Sequence, residues 1–431
     1  MSSSPYVNYG LLIIRLFASS VENCHMRERP YYVSIWKELD ARKRLILVSG
    51  PRQSGKTTLA KSIGSGEASW LYFNYEVPAD RQTLLKDPAF FQKVDRVSGA
   101  LPLIVLDEIH KYREWKNYLK GAYDGYSDSY RFLVTGSGRL DLYQRRGDSL
   151  AGRYWQFHLF PFTMGELFAE KIPPGEFFRR LAEPPGISDA ETADAWAALS
   201  RCSGFPEPFV AGDDRTYRRW AASYHRQVLR EDVRDAFAVK QIDTMESLYL
   251  LLPDRVGSSF SASSCADLLR VSHTTISSWI EVFKRFYLVL TIRPYHRKIS
   301  RSLLKEPKLY LYDYIRVQDE AARFENMVAL ELARATALWT DQGIGEFGLW
   351  YLRTREKREI DFLVTRDGHP FFMVEAKSSE TDPSPNIAHF QNLLDIPAIQ
   401  VVNRSGIARV YKSGRHRTLV VSAARWLAGL G

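Results

Sequence analysis

The stretch KRLILVSGPRQSGKTTLAKSIG, residues 43–64, decides the fold of the N-terminal part of this chain. An apolar run is followed by a glycine-containing loop and then by a run that is typical of a helix. The loop, GPRQSGKT, matches the pattern GxxxxGK[ST], which binds phosphate groups where it connects a strand to a helix. We therefore predict a strand, a phosphate-binding loop and a helix, in that order.

The residues of this loop have distinct predicted roles. Gly50 and Gly55 let the backbone turn tightly, so that N–H groups and the positive end of the helix face a triphosphate. Lys56 supplies a mobile positive charge to the β- and γ-phosphates, and Thr57 offers a hydroxyl ligand to Mg²⁺. The residues predicted to bind ATP are Gly50, Pro51, Arg52, Gln53, Ser54, Gly55, Lys56, Thr57 and Thr58.

The run LIVLDE, residues 103–108, supplies the acidic partners of the loop. Its apolar residues predict a buried strand that ends at Asp107, which would hold Mg²⁺ from the outer shell. Glu108 follows directly and is well placed to orient and deprotonate the attacking water. ATP and Mg²⁺ are therefore the predicted cofactors, and hydrolysis of ATP is the predicted reaction.

Two further segments carry candidate catalytic residues. The run FLVTGS, residues 132–137, would place Thr135 or Ser137 near the γ-phosphate as a sensor, if its strand lies between the other two. A simple turn at the strand end is the alternative. The run SLAGR, residues 149–153, places Arg153 at the mouth of the last strand. Arg153 would reach the nucleotide of a neighbouring subunit in a homo-oligomer, although an ordinary surface arginine fits the pattern equally well.

The remaining pattern divides the chain into domains. Short apolar runs alternate with helical patterns around the loop and predict a parallel α/β sheet. A mostly helical region follows, and residues 263–295 have the outline of a helix-turn-helix or winged-helix unit. The predicted class is α/β, with a parallel-sheet P-loop ATPase core, a helical and winged-helix-like middle and a second α/β domain. The predicted boundaries are 1–25 for an extension, 26–168 for the ATPase core, 169–256 for a helical lid or linker, 257–300 for the winged-helix-like unit and 301–431 for the C-terminal domain.

The composition is that of a globular protein. Of 431 residues, 45% are hydrophobic and 25% are charged, which excludes a disordered chain, a collagen and a coiled coil. Lys and Arg outnumber Asp and Glu by 59 to 50, an excess compatible with nucleic acid but also with solubility alone. The 3 cysteines show no CxxC spacing, so neither a disulfide framework nor a zinc site is indicated, and a cytoplasmic location is expected.

One apolar run precedes the ATPase pattern. The run GLLIIRLFASSV, residues 10–21, is too short to span a bilayer and contains Arg15. It also lacks a complete signal pattern. We therefore expect no membrane association and a dispensable extension over residues 1–25, with Met1 and Met26 both compatible as the start.

Taken together, the motifs resemble a widespread family of prokaryotic AAA-superfamily ATPases. The resemblance rests on GPRQSGKTTL, VLDEIHK, TGSG, SLAGR and FPFTMGEL, and later on GFPEPF, VLRED, KLYLYD, FENMVALEL, EIDFLV and VEAKSS. It covers about residues 42–379 and implies ATP binding. It also implies a C-terminal domain of unassigned function whose fold resembles PD-(D/E)XK nucleases. The sensor segment reads GSG where the pattern of the family resembles GSS, which leaves the sensor side chain open.

The nuclease resemblance focuses on REIDFLVTRDGHPFFMVEAKSS, residues 358–379. Strand side chains alternate between faces, so Asp361 would share a polar face with Glu375 and Lys377 if the two strands are neighbours. Two carboxylates would bind a divalent cation, and the lysine would polarise the attacking water. Glu325 from the preceding helix would complete the set. The alternative is an ordinary hairpin in which Glu375 and Lys377 pair on a solvated face.

Two functions follow from these motifs. The first is a cytoplasmic ATPase whose nucleotide state moves a nuclease-like domain that binds nucleic acid. The second is an ATP-dependent switch or scaffold that binds a protein partner and has a catalytically idle C-terminal domain. The second helix of the helix-turn-helix pattern would touch DNA or serve as a packing element. Its candidate DNA contacts are Arg270, His273, Thr274 and Ser277.

Overall fold

The computed structural model describes residues 29–97, 99–138, 150–234, 241–296 and 305–431. The extension predicted over residues 1–25 and the first residue of the SLAGR motif lie outside these ranges. The strands are β1 (Leu45–Ser49), β2 (Trp70–Asn74), β3 (Leu103–Asp107), β4 (Arg131–Thr135), β5 (Trp155–His158), β6 (Val289–Pro294), β7 (Lys308–Leu311), β8 (Phe347–Arg353), β9 (Glu359–Arg366), β10 (His369–Lys377), β11 (Ala398–Val402), β12 (Ala408–Ser413) and β13 (His416–Ser422).

Helices connect and flank these strands. The α-helices are α1 (Pro30–Asp40), α2 (Lys56–Ser65), α3 (Pro78–Lys86), α4 (Trp115–Tyr126), α5 (Met164–Leu167), α6 (Pro174–Arg179), α7 (Asp189–Cys202), α8 (Pro206–Ala211), α9 (Asp214–Gln227), α10 (Ile242–Leu251), α11 (Ala262–Leu269), α12 (His273–Arg285), α13 (Glu320–Asp341), α14 (Pro385–Leu394) and α15 (Ala423–Leu427). Helix α9 continues into a π-helical turn, Val228–Val233. Within the described residues, no helix combines the length and the apolar character that crossing a bilayer requires.

The first five strands form a parallel sheet in the order β2-β3-β4-β1-β5. Strand β4 lies between β3 and β1, as the sequence analysis required for a sensor strand. Strands β1 and β3 are buried along their whole length, which is expected of central strands with helices on both faces. Because all five strands run parallel, Ser49, Asp107 and Thr135 meet at one edge of the sheet.

Alternation along β1 explains how this sheet is covered. Leu45 and Leu47 join the apolar core beneath α4, whereas Ile46 and Val48 join the core beneath α1 and α2. A strand with large aliphatic side chains on both faces is stable only when both faces are covered. The apolar run of the quoted stretch thus determines a three-layer α/β domain.

The winged-helix-like unit follows the helical region. Ser261 and Ser272 cap α11 and α12, and each side chain accepts a hydrogen bond from a backbone N–H of the first turn. Helix α12 leads into β6, which does not remain with its own helices. It pairs with β7 in an antiparallel and with β8 in a parallel arrangement, so this unit contributes a strand to the C-terminal sheet.

The C-terminal sheet has eight strands in the order β12-β13-β11-β10-β9-β8-β6-β7. The second α/β domain that the sequence predicts is present, and it contributes strands β7 to β13 to this sheet. The hairpin of the RDG stretch is also present. Its two-residue turn consists of Asp367 and Gly368, with φ angles of 51° and 78°, as a type I′ turn requires. The turn fixes the register in which β9 and β10 face each other.

Candidate functional site: the ATP site and the C-terminal carboxylate cluster

The phosphate-binding loop has the backbone that its glycines predict. Gly50 has φ 154° and Gly55 has φ 96°, where side chains are strongly disfavoured. A Cβ atom at Gly50 would lie 2.1 Å from the carbonyl oxygen of Leu159, so this glycine is required by a close backbone contact. Lys56 begins α2, and the loop therefore ends at the positive end of a helix.

Lys56 is buried, and its ammonium group bonds within the loop. Its ammonium group donates to the carbonyl oxygens of Pro51 at 2.6 Å and Gly50 at 3.1 Å, both within the loop itself. Burial lowers the pKa of Lys56, although Glu108 and Asp107 act in the opposite direction. A phosphate anion is a stronger acceptor than a neutral carbonyl, so this lysine is suited to binding a triphosphate.

Asp107 is fully buried and accepts several hydroxyl groups. Thr57 and Tyr72 each donate to Oδ2 at 2.7 Å, and Thr135 donates to Oδ1. The hydroxyl of Thr57 and the carboxylate of Asp107 are oxygen ligands of the kind that Mg²⁺ prefers, and they would hold the ion at the nucleotide phosphates. Tyr72 was not among the residues predicted from the sequence, although it lies in the strand that precedes β3 along the chain.

Glu108 lies directly after the buried strand. It has a left-handed backbone conformation, with φ 56°, which turns it away from the strand direction. Burial raises its pKa to about 7, partly offset by the charge of Lys56. Its Oε2 atom lies 3.6 Å from Nε2 of His110 and 3.9 Å from Nζ of Lys111. A carboxyl group with a pKa near neutrality suits the general base predicted at this position.

The two sensor candidates have different surroundings. Thr135 is fully buried and bonded to Asp107, whereas the hydroxyl of Ser137 lies 3.4 Å from Nε2 of His110. Ser137 and His110 line a cavity of about 480 Å³ that also includes Asp232 of the helical region. Ser137 therefore remains the predicted sensor, because it lies in a cleft that a ligand is able to enter.

The unusual glycine of the sensor segment has a structural reason. A Cβ atom at Gly138 would lie 1.6 Å from the carbonyl oxygen of Arg285, at the end of α12. A serine at this position therefore has no room while the sensor strand contacts the winged-helix-like unit. The GSG sequence thus marks a direct backbone contact between the ATPase core and that unit.

Arg153 pairs within its own chain in this structure. Its Nε and Nη2 atoms contact the two carboxylate oxygens of Asp124 on α4, at 2.6 and 3.0 Å. The pair is partly exposed, with side-chain exposures of 30% and 44%. The role of Arg153 towards a neighbouring subunit stays a prediction.

The variable residues of the phosphate-binding loop contact the helical region. The guanidinium of Arg52 contacts Asp232 at 2.7 Å. The side chain of Gln53 accepts a hydrogen bond from Trp220 at 2.5 Å and donates one to Gln227 at 3.3 Å. The sequence analysis assigned Arg52 and Gln53 to the nucleotide, but their side chains bond to α9 and to the π-helical turn. The loop is thereby tied to a second region of the protein.

The C-terminal strands bring the predicted nuclease-like residues together around an additional lysine. Lys308, on β7, has a side chain that is only 2% exposed. Its ammonium group contacts Glu359 at 2.7 Å, Glu325 at 3.0 Å and Asp361 at 3.3 Å. The carboxylate cluster, defined here as Glu325, Glu359, Asp361 and Glu375, is therefore held by a cation of the chain itself.

The other side of the cluster is equally well bonded. Glu375 contacts Lys377 at 2.9 Å and accepts the backbone N–H of Asp361 at 3.3 Å. The carboxylate of Asp361 accepts the backbone N–H of Ala376 at 3.0 Å. Burial, followed by the charge of Asp361, raises the pKa values of Glu325 and Glu375 to about 7.

This arrangement does not fit the divalent cation that the nuclease resemblance implies. Lys308 contacts Glu325 and Asp361, two of the carboxylates that would surround such an ion, and Glu375 is paired with Lys377. Within the described residues, no group of three or more acidic, histidine or cysteine side chains has an arrangement suited to a metal ion. Asp361 and Glu375 do lie on one face of neighbouring strands, as predicted, but the site holds a lysine where a metal was expected.

The candidate DNA contacts of the helix-turn-helix pattern lie on its outer side. Arg270 follows the last residue of α11 and, contrary to the prediction, does not lie on the second helix. Arg270, His273 and Thr274 are exposed, whereas Ser277 is half-buried. The opposite face of α12 is part of the central apolar core. This unit therefore packs on the rest of the protein while leaving part of its second helix accessible.

The sheet order, the phosphate-binding loop and the Asp107–Glu108 pair define an ATP-binding domain of the AAA-type P-loop class. In agreement, residues 42–168 match the family described as "AAA domain". Residues 195–314 and 321–423 match two families that are each described as a domain of unknown function, DUF8612 and DUF4143. The first match supports an AAA-type ATPase, whereas the other two assign no activity.

Proteins of other organisms are similar in sequence to this chain over more than half of its length. The chain is 26% identical over 404 residues to uncharacterized proteins of Mycobacterium tuberculosis and Mycobacterium bovis, covering 92% of this chain and 82% of each relative. An uncharacterized protein of Methanocaldococcus jannaschii is 25% identical over 298 residues, covering 61% of this chain and 60% of the relative. A solved Walker-type ATPase of Pyrococcus abyssi is 15% identical, with a TM-score of 0.42, covering 67% of this chain and 94% of that chain.

Proposed function

We propose that this protein is a Mg²⁺-dependent ATPase that works as a switch, in which the nucleotide state changes the position of the helical and winged-helix-like regions. The observation that carries the proposal is the bonding of Arg52 and Gln53 to the helical region. A nucleotide in the loop would bind Lys56 and the loop N–H groups. Arg52 and Gln53 of the same loop bond to the π-helical turn and to α9. A switch of this kind requires that ATP binds more tightly to one arrangement of the helical and winged-helix-like regions than to another.

The residues of the nucleotide site have separate roles in the proposed reaction. Lys56 and the loop N–H groups bind the triphosphate, while Thr57 and Asp107 hold Mg²⁺, which neutralises charge on the phosphates when bound. Glu108 accepts a proton from water because its raised pKa keeps it basic near neutral pH. Ser137 lies in the adjoining cleft, where it would distinguish ATP from ADP.

A second set of contacts supports transmission to the winged-helix-like unit. Gly138 contacts the backbone of Arg285, and the hydroxyl of Tyr287 lies 3.4 Å from that of Ser49, at the end of β1. The same edge of the sheet therefore binds nucleotide and contacts the end of α12. The partner in this proposal is a protein, the assembly is a homo-oligomer completed by Arg153, and the location is the cytoplasm, where ATP is abundant.

Hydrogen exchange with and without nucleotide tests the switch. We expect ATP bound to the Glu108→Gln variant to change exchange in residues 214–233, whereas ADP gives a smaller change. Lys56→Ala, which should not bind ATP, is the matched control and should show no change. Equal exchange in these residues with and without bound ATP would refute the switch while leaving the ATPase assignment intact.

A second candidate function is nucleic-acid binding, which the exposed side of the helix-turn-helix pattern favours. Arg270 and His273 would face the phosphates or base edges of a duplex. Titration of labelled duplex DNA at two salt concentrations tests this function. Salt-dependent binding that Arg270→Ala weakens would place DNA, and not a protein, as the partner of the switch.

A further inference from the structure

The lysine in the carboxylate cluster has an unusual number of acidic partners. Burial opposes a positive charge on Lys308, but Asp361, Glu325 and Glu359 together raise its pKa well above the usual value. Tyr310 adds a hydrogen bond to Glu325 at 2.7 Å from the same strand. Burying a charge is tolerated when ion pairs and hydrogen bonds satisfy it, and Lys308 meets this condition in full.

The charges of the cluster are nearly balanced without any ion from solution. Three cations face the four carboxylates of the cluster, and they are Lys308, Lys377 and Arg353, the last at 3.6 Å from Glu359. A divalent ion would therefore reverse the sign of the charge in a largely buried site. Removing Lys308 instead would leave a strongly negative pocket of oxygen atoms, which is the kind of site that a divalent cation binds.

The cluster is also covered by the segment that leads into the winged-helix-like unit. Ser259 pairs with Lys308 through a β-bridge, and the N–H of Phe260 donates to the carbonyl of Pro307 at 2.8 Å. A Cβ atom at Gly257 would lie 3.1 Å from Oε2 of Glu325, so this backbone lies directly on the carboxylate. This segment therefore covers the Glu325 side of the cluster.

We infer that Lys308 is the built-in cation of this cluster and takes the position that a divalent metal would need. The cluster is then a metal-independent clasp that joins the winged-helix-like unit to the C-terminal sheet. This inference does not rest on the ATPase function, and it accounts for a buried lysine that the nucleotide site does not use. It replaces the metal-dependent nuclease site that the sequence pattern predicts.

Thermal unfolding with Mn²⁺ in the absence of nucleotide tests the inference. For the wild-type chain, we expect the change in Tm with Mn²⁺ to equal that of Asp361→Asn, because the cluster binds no ion in either. Lys308→Met should unfold several degrees lower and should gain a Mn²⁺-dependent rise in Tm, since binding to the folded state stabilises it. Lys305→Met, at an exposed lysine three positions earlier, is the matched control and should change neither property.

Two results would overturn the inference. One is a Mn²⁺-dependent rise in the Tm of the wild type that Asp361→Asn abolishes, and the other is a folded Lys308→Met variant without any response to Mn²⁺. If Lys308→Met does not fold, the double variant Lys308→Met, Glu325→Gln is measured in its place. It removes one positive and one negative charge, so the cluster keeps its net charge. ATP affinity should stay unchanged in these variants, so the outcome is independent of the proposed switch.

Discussion

Two buried lysines, Lys56 in the phosphate-binding loop and Lys308 in the carboxylate cluster, show how the same side chain serves opposite purposes. Lys56 donates to neutral carbonyl groups, and burial lowers its pKa. Lys308 contacts three carboxylates, and their charges raise its pKa despite burial. The first lysine bonds to neutral acceptors of its own loop and is suited to receive an anion. The second has its anions within the chain and leaves no role for an external ion.

Replacement of Lys56 should give the largest effect on this comparison. Lys56→Ala removes the charge that faces the triphosphate, and we expect ATP affinity to fall by about 100-fold or more, roughly 3 kcal/mol. Hydrolysis should be lost with it. Nucleotide binding measured by calorimetry checks this, with Lys86→Ala on α3 as an exposed control. Unchanged affinity in Lys56→Ala would disprove the assignment of the loop.

Glu108→Gln should separate binding from hydrolysis. The amide still fits beside the phosphates but cannot accept a proton, so we expect turnover to fall by about 10²–10⁴-fold. Affinity for ATP should change by only a few-fold. Steady-state turnover and ATP binding are compared with those of Glu114→Gln, an exposed acidic residue of the following segment. Turnover equal to that of the wild type would assign the base to another residue.

The pH dependence of hydrolysis provides a finer test of the same carboxyl group. Because burial raises the pKa of Glu108 to about 7, the base is protonated and inactive below that pH. We expect kcat/KM to rise by about tenfold per pH unit up to about 7 and then to level off. The residual activity of Glu108→Gln should lack this inflection. A profile that is flat between pH 5.5 and about 8 would contradict a base with this pKa.

The ion pair between the loop and the helical region should give the smallest effect. The pair of Arg52 and Asp232 is partly exposed, with side-chain exposures of 30% and 13%, so solvent screening limits its contribution. We expect a coupling free energy of about 0.5–1 kcal/mol from a double-mutant cycle with Arg52→Ala and Asp232→Ala. Chemical unfolding without nucleotide gives the free energies. A coupling of zero would mean that the loop and the helical region are not joined through this pair.

Local patterns were enough to predict the fold around the phosphate-binding loop. The loop, the buried strand that ends at Asp107 and the position of Glu108 each follow from a short stretch of sequence with a known mechanism. The sheet order was not predicted, but the observed order meets the condition set for Thr135 or Ser137, because β4 lies between β3 and β1. The AAA-type core and the α/β class were therefore predicted correctly, because each motif that defines them is a short continuous run of the sequence.

Contacts between distant residues could not be predicted in the same way. Lys308 is separated by 17 residues from Glu325 and by 53 from Asp361, and the run KLYLYD was noted only as a motif of the family resemblance. Likewise, Arg52 and Gln53 meet α9 and the π-helical turn only after the helical region has folded against the core. The sequence pattern predicted a metal at the carboxylates because it contained no sign that a lysine would enter between them.

The contact at Gly138 limits the substitutions that this part of the protein tolerates. The ATPase core and the winged-helix-like unit approach each other so closely that a single hydrogen atom, in place of a side chain, fills the space against the carbonyl of Arg285. A methyl group there would push the two units apart by an amount that their shared core would resist. A larger residue at position 138 therefore requires a compensating change at the end of α12, and the two segments are expected to change together.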